Sequence, residues 1–511
     1  MAALSKRPPV HEPTVPDWLR WRSSVSADSL ALKAGPVEWS YGKLQENVGR
    51  LASGLRSRGV VRGDRAAILM SPSAQQVAVV LALARVSAIA VPLNHRLSPR
   101  ELRSQLRDSS PSIVIHDEEF GAEAAEAGGI QARRWVDASD LGDREPMAGD
   151  LLDLSAPQAI VYTSGSSGAP KGVVLTVSNL MWNAVSVGLR VGASPVDRWL
   201  LCLPLFHVGG YSIIFRSLLY GSAIVLHPKF DAKRVSLSMD NDAITLASFV
   251  PTMLTEFLSA RGGKPLNPRV RAIFVGGGPP APGLVAAARE RRLPILMTYG
   301  MTETCSQVAL SSNWSSSEGP AYLPILPNQI AVTRRGTHGR LEPAEADEVG
   351  EVAVRGPTIF SGYWRKPAAS RERFKDGWFL TGDLGLLQAG AGKPRGVVIL
   401  GRKDETIVSG GEKVYPAEVE AALRSHPSVK EAVVIGIDDP KWGQRVVAVI
   451  ETRAAASRPP SAAKLSEFLG ERLGRYKIPK QYHFWPSLPR TPTGKPRRAE
   501  VRAALERGEA G

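Results

Sequence analysis

The stretch that decides the fold reads YTSGSSGAPKGVVLTVSNL, from Tyr162 to Leu180. It joins a loop of glycine, serine and threonine to an apolar, β-branched run, and its one lysine is Lys171. After a strand, such a loop can turn successive backbone N–H groups towards a phosphate, or it can be a connection without chemistry. A Walker A loop is excluded, because Pro170 stands where that motif needs glycine and Gly172 where it needs Ser or Thr. This stretch alone does not decide between a phosphate-binding loop and a linker.

The composition is that of an ordinary globular chain with more than one domain. Its 511 residues are too many for one simple core, and 43% are hydrophobic and 22% charged. The most apolar window, residues 77–93, is interrupted by Arg85, so we expect a buried helix and strand there and no membrane span. The first residues lack the apolar core of a secretory signal. Two cysteines, Cys202 and Cys305, predict no disulfide framework and a cytoplasmic location.

The net charge is strongly positive, since 64 Lys and Arg against 49 Asp and Glu give +15. The basic residues are spread along the chain, without a Lys/Arg block and without the interleaved aromatic residues of single-strand binding. We therefore expect a solvated basic surface that favours anionic substrates, and no nucleic-acid partner.

Before residue 400, helical segments alternate with short apolar strands, the clearest at residues 65–70, 88–93, 112–117, 222–227 and 271–278. Continuous apolar runs of this length predict an α/β class with parallel sheets covered by helices on both faces. The Ser-, Gly- and Pro-rich residues 311–350 predict loops. Beyond them, residues 350–356 and 395–411 predict antiparallel strands.

A smaller unit follows at the C-terminal end. Residues 415–429 predict an amphipathic helix that starts at Pro416, residues 430–438 and 445–453 predict strands, and residues 461–476 predict a second helix. We therefore expect a large N-terminal domain over residues 1–402 and a small α+β domain over residues 403–511.

Four further motifs follow the opening loop in chain order: YGMTET (Tyr299–Thr304), GWFLTGDLG (Gly377–Gly385), GRKDETIVSGGEKVYPAEVE (Gly401–Glu420) and PRTPTGKPRR (Pro489–Arg498). This ordered set resembles the adenylate-forming superfamily of acyl-CoA synthetases, adenylation domains and luciferases, over nearly the whole chain. The resemblance implies a large domain of helix-covered sheets with a β-barrel-like subdomain, and a small mobile C-terminal domain. It also implies that ATP, with Mg²⁺, activates a carboxylate as an acyl-adenylate, which coenzyme A then attacks.

By this resemblance, the ATP site consists of Thr163, Ser164, Gly165, Ser166, Ser167, Gly168, Lys171, Gly276, Gly277, Gly278, Tyr299, Gly300, Met301, Thr302, Asp383, Arg402 and Lys495. The loop would clamp the β- and γ-phosphates, and Glu303 would hold Mg²⁺ while Thr302 contacts the α-phosphate. Asp383 would accept both ribose hydroxyls. Without the resemblance, Glu303 is a surface acid, Asp383 and Arg402 are turn residues or surface ion pairs, and residues 276–278 are a bare glycine turn.

Lys495 lies in the polar segment PTGKP of the small domain. In the family this lysine reaches across to the acyl carboxylate during adenylation. It then leaves when the small domain rotates about a hinge, which matches Asp404 here. The face around Gly410 and Gly411 would then admit the thiol of coenzyme A.

The acid substrate depends on LPLFHVGGYSIIFRSLLYG, from Leu203 to Gly221. His207 lies at the end of a strand-like run and before a glycine turn, where a histidine is more often a packed core residue. The resemblance implies instead that His207 gates the acyl pocket. Gly209, Gly210 and Ser212 leave room for a ring. Arg216 would bind a substrate anion or form a salt bridge to a protein carboxylate. Within the superfamily, this segment and residues 249–258 look most like o-succinylbenzoate–CoA ligases of menaquinone biosynthesis, whose substrate carries a second carboxylate.

Several alternatives stay open. Residues 311–341 lack the glycine–proline turn usual after this family's YGMTE region, which leaves the shape of the acyl pocket open, and Gln444 replaces an acidic residue. The acid can be another aromatic or medium-chain fatty acid, or the thiol can belong to a carrier protein. A nucleotide-sensing protein without turnover is a further alternative, which the presence of Lys495 and Glu303 disfavours. A homodimer is left open.

Overall fold

A computed structural model describes residues 13–121, 135–163, 170–280, 282–311, 314–315, 319–336, 340–388, 396–453, 460–491 and 494–508. Its α-helices are α1 (Trp18–Ser26), α2 (Tyr41–Ser57), α3 (Ala74–Arg85), α4 (Pro99–Ser109), α5 (Val177–Val191), α6 (Val208–Tyr220), α7 (Ala232–Asn241), α8 (Pro251–Arg261), α9 (Pro282–Glu290), α10 (Pro367–Arg373), α11 (Pro416–Arg424), α12 (Ala462–Gly470) and α13 (Arg498–Glu506).

The strands are β1 (Thr14–Pro16), β2 (Leu30–Ala34), β3 (Val37–Ser40), β4 (Arg65–Leu69), β5 (Ile89–Pro92), β6 (Ile113–His116), β7 (Trp135–Asp137), β8 (Leu151–Asp153), β9 (Pro157–Thr163), β10 (Lys171–Thr176), β11 (Arg198–Leu201), β12 (Ala223–Leu226), β13 (Leu246–Phe249), β14 (Ala272–Val275), β15 (Ile295–Met301), β16 (Ser306–Ser311), β17 (Trp314–Ser315), β18 (Gly319–Pro324), β19 (Gln329–Arg335), β20 (Leu341–Pro343), β21 (Gly350–Arg355), β22 (Gly362–Tyr363), β23 (Phe374–Lys375), β24 (Trp378–Leu387), β25 (Val397–Arg402), β26 (Ile407–Ser409), β27 (Glu412–Val414), β28 (Val429–Asp439), β29 (Gly443–Thr452) and β30 (Gln481–Trp485).

Two large sheets form most of the molecule. The first has the order β22-β10-β9-β5-β4-β6-β7, with β9, β5, β4, β6 and β7 parallel and β10 antiparallel to β9. The second runs in parallel from β2 through β12, β11, β13 and β14 to β15, and continues in antiparallel pairing through β16, β18, β25, β24, β21 and β19. The expected α/β class with parallel, helix-covered strands and an antiparallel subdomain is confirmed.

The apolar window at residues 77–93 is a buried helix followed by a buried strand, as predicted. Ser73 caps α3 by accepting a hydrogen bond from the backbone N–H of Gln76, and nearly every side chain of the helix is buried. Arg85, the one charge in the window, donates to Asp17 Oδ2 at 2.8 Å and is thereby neutralised. Within the described ranges, none of the helices combines the length and apolarity that crossing a membrane requires.

The C-terminal residues form a separate sheet, in which β29 pairs with β28, β26 and β30, and β26 pairs with β27. Its apolar cores are built from residues between Ile407 and Val501, whereas the fully buried core residues of the larger part end at Val397. The expected α+β unit is therefore present.

Three local expectations are wrong. Much of residues 311–350, predicted as loops, forms β18, β19 and β20, because pairing with the distant β16, β21 and β25 satisfies their backbone groups despite a turn-like composition. The helix predicted over residues 461–476 ends at Gly470. His207 does not precede a glycine turn: it is the N-cap residue of α6, whose first turn contains Gly209 and Gly210.

Candidate functional site

The glycine-rich loop joins two antiparallel strands. Thr163 and Lys171 are paired residues at the ends of β9 and β10, so the loop closes a hairpin. Thr163 Oγ1 lies 3.5 Å from the carbonyl oxygen of Lys171. The predicted phosphate contacts at Ser164, Gly165, Ser166, Ser167 and Gly168 lie outside the described residues. The position of Lys171 at the hairpin mouth leaves its ammonium group available to an anion bound there.

A cluster of polar side chains forms where β15, β24 and β25 meet. The Tyr299 hydroxyl donates to Asp383 Oδ2 at 2.7 Å, and Arg402 Nη1 donates to Asp383 Oδ1 at 3.1 Å. Asp383 and Arg402 face each other across the β24–β25 ladder. Burial raises the pKa of Asp383, although Arg402 and Tyr299 act in the opposite direction. This buried carboxylate can accept hydrogen bonds from vicinal hydroxyl groups, as its predicted ribose role requires.

Lys495, which lies between β30 and α13, reaches the same cluster from the C-terminal unit. The side chain keeps contact with solvent, yet it faces a cleft in which desolvation lowers its pKa, while Asp383 and Glu405 raise it. The small unit therefore sits with its lysine turned towards the residues predicted to bind ATP. Gly494, the preceding residue, lies close to Thr252 of α8, and a Cβ added there would be 3.5 Å from Thr252 Oγ1.

Glu303 lies in a single 3-10 turn, Thr302–Thr304, directly after β15. Its Oε1 accepts a hydrogen bond from the Tyr363 hydroxyl at 2.9 Å, and Lys171 Nζ lies 5.3 Å from the centroid of the same ring. Tyr363 thereby connects the predicted metal ligand to the phosphate loop. Within the described residues, no group of three or more His, Cys, Asp and Glu could enclose a metal ion. A single hard carboxylate suits Mg²⁺ that arrives with its other oxygen ligands on ATP.

The glycines predicted to face the adenine follow β14 directly. A Cβ on Gly276 would lie 1.8 Å from Thr298 Oγ1, so any other residue there would force Thr298 to move, whereas one on Gly278 would meet nothing within 4 Å. Tyr299 belongs to the adjacent strand and is buried. Gly300 is similarly constrained, since its Cβ would lie 2.0 Å from the carbonyl oxygen of Ser306. Bare backbone here is thus a requirement of close strand packing as well as room for a flat ligand.

His207 lies between the cleft and the apolar core. Desolvation lowers its pKa to about 4, and the nearby charges of Lys495 and Arg96 act in the same direction. Its Nε2 is buried and has no hydrogen-bond partner among the described residues. Phe206 packs on its ring with centroids 4.6 Å apart. His207 is therefore neutral at physiological pH, and one ring nitrogen is available to a bound molecule.

Arg216 is fully buried in α6 without a carboxylate. Its Nε donates to Asn183 Oδ1 at 2.8 Å and its Nη2 to Gln307 Oε1 at 2.9 Å. No salt bridge to Arg216 occurs in the parts of the chain that the structure describes, so the alternative of a protein carboxylate finds no support there. Burial lowers the pKa of Arg216 to about 10, which leaves it cationic.

The amides around Arg216 add further donors. Because Arg216 takes the oxygens of Asn183 and Gln307, their nitrogens Nδ2 and Nε2 point elsewhere, and both are buried without an acceptor among the described residues. Gln307 pairs with Gly300 across the β15–β16 ladder, so this cluster lies beside the YGMTET motif. We call Arg216, Asn183 and Gln307 the donor cluster; Asn183 and Gln307 have no motif that marks them in the sequence.

The residues predicted to serve the second half-reaction lie in an exposed turn and at the junction of the two units. Gly410 and Gly411 form an exposed turn between β26 and β27, and the N–H of Gly410 donates to the carbonyl oxygen of Trp442. Asp404 lies at the junction between the large and small units, where its Oδ1 accepts from Arg402 Nε at 3.3 Å. Gly209 and Ser212, which were predicted to line the acyl pocket, lie on the first turns of α6, directly after His207 in the chain.

Tyr363 is a site residue that the motifs do not reveal. It follows Gly362 in the segment SGYW, 60 positions from Glu303, and its contact with that residue exists only because β22 pairs with β10. An aromatic residue beside a glycine is a weak sequence signal.

The chain is similar to known proteins over nearly its whole length. Residues 19–364 match the family described as AMP-binding enzyme, and residues 418–495 match the AMP-binding enzyme C-terminal domain. The chain belongs to the AMP-binding enzyme family. Family relatives named 2-succinylbenzoate–CoA ligase include one from Bacillus licheniformis, 37% identical over 94% of this chain and 98% of the relative. Another, from Geobacillus kaustophilus, is 35% identical over 97% of this chain and 99% of the relative.

Solved structures of the family agree over the full length. The o-succinylbenzoate CoA synthetase (MenE) of Bacillus subtilis in complex with the acyl-adenylate intermediate OSB-AMP superposes with a TM-score of 0.86, at 34% identity, over 96% of this chain and 98% of that one. The same synthetase with ATP and magnesium ion gives a TM-score of 0.87 at 33% identity, over 96% and 100%. ATP-bound MatB from Rhodopseudomonas palustris gives 0.84 at 28% identity, over 97% and 100%.

Proposed function

We propose that this protein is an ATP-dependent acid–CoA ligase that converts 2-succinylbenzoate to its CoA thioester through an acyl-adenylate, as a step of menaquinone biosynthesis. The observation that carries the proposal is the cleft in which Lys495 of the small unit meets Asp383, Arg402 and His207. The relatives named for this activity span nearly the whole chain and support the same conclusion. We also propose a large domain over residues 1–402 and a small one over residues 403–511, with the separate apolar cores as support.

In the first half-reaction, a carboxylate oxygen of the acid attacks the α-phosphorus of ATP, and the bond to pyrophosphate breaks. Tyr299 and Arg402 hold Asp383 for the ribose, and Lys495 places a positive charge beside the reacting carboxylate and phosphate. Glu303 would hold Mg²⁺, which would supply charge neutralisation on the phosphates. Tyr363 orients Glu303, and Lys171 attracts the departing pyrophosphate.

In the second half-reaction, the sulfur of coenzyme A attacks the acyl carbon, AMP leaves, and the thiol proton passes to solvent. We infer that the small domain rotates about Asp404 between the two steps, because Lys495 faces Asp383 in the present arrangement while the turn at Gly410 and Gly411 is exposed. A single pocket thereby serves both steps.

The donor cluster supports an acid with a second anionic group. A buried arginine and two amide N–H₂ groups without acceptors among the described residues are electrostatically suited to a carboxylate or a keto oxygen. Benzoate or an alkanoate would leave these donors unpaired, at a cost of roughly 1–3 kcal/mol for each buried group. This favours 2-succinylbenzoate over the other aromatic or medium-chain acids.

Purified protein should be assayed with ATP, Mg²⁺ and CoA against 2-succinylbenzoate, benzoate and octanoate. We expect a CoA thioester of 2-succinylbenzoate, and kcat/KM at least about tenfold lower with the other two acids. A preference for benzoate or octanoate would contradict the assignment of the acid. An acyl-adenylate that CoA does not discharge, but that a carrier protein does, would contradict the assignment of the thiol.

A further inference from the structure

The catalytic lysine proposed above belongs to a tight turn. We call residues 489–491 and 494–497 the lysine loop. Two backbone hydrogen bonds close it: the N–H of Thr491 donates to the carbonyl oxygen of Lys495 at 2.6 Å, and the N–H of Gly494 donates to the carbonyl oxygen of Thr491 at 2.8 Å. Arg490 and Pro496 form an isolated antiparallel bridge. These contacts are local, so they fix the shape of the turn but not its position on the small domain.

The position is fixed by the side chain of Arg490. Its Nη1 donates to the carbonyl oxygen of Gly494 at 3.0 Å, directly before Lys495, and its Nη2 donates to Glu451 Oε2 at 2.8 Å. A planar guanidinium can make both bonds at once, whereas an ammonium group is a single point charge. Arg490 therefore connects the lysine loop to the interior of the small domain.

Glu451 is a firm attachment point. It lies on the central strand β29, with a side chain only 2% exposed. Its Oε2 also accepts from the N–H of Leu488 at 3.1 Å, and its Oε1 lies 2.5 Å from Lys430 Nζ. Burial by itself raises the pKa of Glu451, but these donors outweigh it and the pKa is lowered, so the carboxylate stays charged. With both oxygens held, it cannot follow a moving loop.

We propose that Arg490 and Glu451 are positioning residues for the first half-reaction, which set where the Lys495 ammonium group lies in the cleft. The inference rests on the proposed function. Neither residue contacts the cleft itself: each acts through the carbonyl group of Gly494. Because the proposed rotation of the small domain turns the lysine loop away from the acyl group before thioester formation, the second half-reaction should not depend on this connection.

The test compares Arg490→Lys and Glu451→Gln with Lys430→Gln. Lys430 pairs with the same carboxylate but is 57% exposed and makes no hydrogen bond or ion pair with the described residues of the lysine loop, so it controls for the stability of the charge cluster. Arg490→Lys keeps a cation beside Glu451 but cannot bridge to Gly494 with the same geometry. Each variant is assayed for acid-dependent pyrophosphate–ATP exchange and for thioester formation from supplied acyl-adenylate and CoA, with melting temperature as the check on folding.

We expect Arg490→Lys and Glu451→Gln to lower the rate of exchange by about tenfold to a hundredfold, mainly in kcat, and to leave thioester formation within about twofold of wild type. Lys430→Gln should leave both rates within about twofold. Equal losses in both half-reactions, or an exchange rate in Arg490→Lys equal to that of Lys430→Gln, would overturn the inference. Failure of the proposed function is distinct, since the wild-type protein would then exchange pyrophosphate with none of the acids.

Discussion

Lys495 is a cation held where desolvation opposes its charge. Because burial lowers its pKa, the group loses its proton at a lower pH than an ordinary lysine, whose pKa is about 10.4. If protonated Lys495 is needed at the phosphate, exchange falls as pH rises through this lowered pKa. We expect Lys495→Ala to abolish pyrophosphate exchange, and Lys495→Arg to remove the alkaline decline, since arginine stays protonated.

The measurement is a pH profile of exchange, with thiolysis of supplied acyl-adenylate as the internal control. Thiolysis should be retained in Lys495→Ala. Parallel loss of the two half-reactions would show that Lys495 serves folding or both steps, contrary to the role proposed.

Arg216 provides a test of substrate choice. Its charge has no carboxylate partner among the described residues, so Arg216→Ala should remove the main attraction for the second carboxylate of 2-succinylbenzoate. Hydrogen bonds to a charged group contribute about 1.5–3 kcal/mol, so KM for this acid should rise by about tenfold to a hundredfold. Steady-state kinetics should give an unchanged KM for ATP, and residual turnover of benzoate should not fall. An unchanged KM for 2-succinylbenzoate would remove Arg216 from the acid site.

At the scale of single elements, α6 depends on one of its two adjacent glycines more than on the other. A Cβ on Gly210 would lie 2.5 Å from the carbonyl oxygen of Pro204. Because that oxygen belongs to the backbone, the clash could be relieved only by a shift of the main chain. A Cβ on Gly209 would meet only Leu203 Cδ1, at 3.4 Å. The close approach of Pro204 and Gly210 holds His207 at the N-terminus of the helix.

Urea unfolding should separate the two positions. We expect Gly210→Ala to lower the free energy of unfolding by about 1–3 kcal/mol through overpacking. Gly209→Ala should leave it unchanged or raise it by up to about 1 kcal/mol, because alanine favours the helix. Equal destabilisation by both variants would mean that the loss of a glycine, and not the Pro204 contact, matters.

At the scale of the whole molecule, the proposed hinge at Asp404 would allow the two half-reactions to alternate. Arg402 of β25 holds Asp404, and Arg498 of the small domain lies 3.3 Å from Glu405, so the junction is tied on both sides in the present arrangement. Proline fixes its own φ near −65° and restricts the residue before it. A proline at the hinge should therefore oppose rotation of the small domain.

We expect Asp404→Pro to keep pyrophosphate exchange while thioester formation from supplied acyl-adenylate falls by about tenfold or more. Asp404→Ala removes the same contact with Arg402 but leaves the backbone free, so it should retain thioester formation. Stopped-flow measurement of each half-reaction distinguishes them. Loss in the alanine variant as well would place the effect in the carboxylate and not in the hinge.

The sequence by itself determined the chemistry and the main strands. The five motifs predict the nucleotide-binding residues, because the chemistry of a glycine loop, a lone carboxylate or a lysine in a polar segment can be recognised from a short stretch of sequence. The apolar runs at residues 65–70 and 88–93 became β4 and β5, because a continuous apolar run is itself the signal of a buried strand.

Only the tertiary structure decided what joins these parts. Tyr363 meets Glu303 across 60 positions, and Gln307 meets Arg216 across 91, so no local pattern could indicate either contact. Strands β18 to β20 form in a segment of loop-like composition, because distant strands supply their hydrogen bonds. The physical reason is the same throughout: side-chain chemistry is local, whereas the pairing of buried polar groups is set by where the fold brings distant segments together.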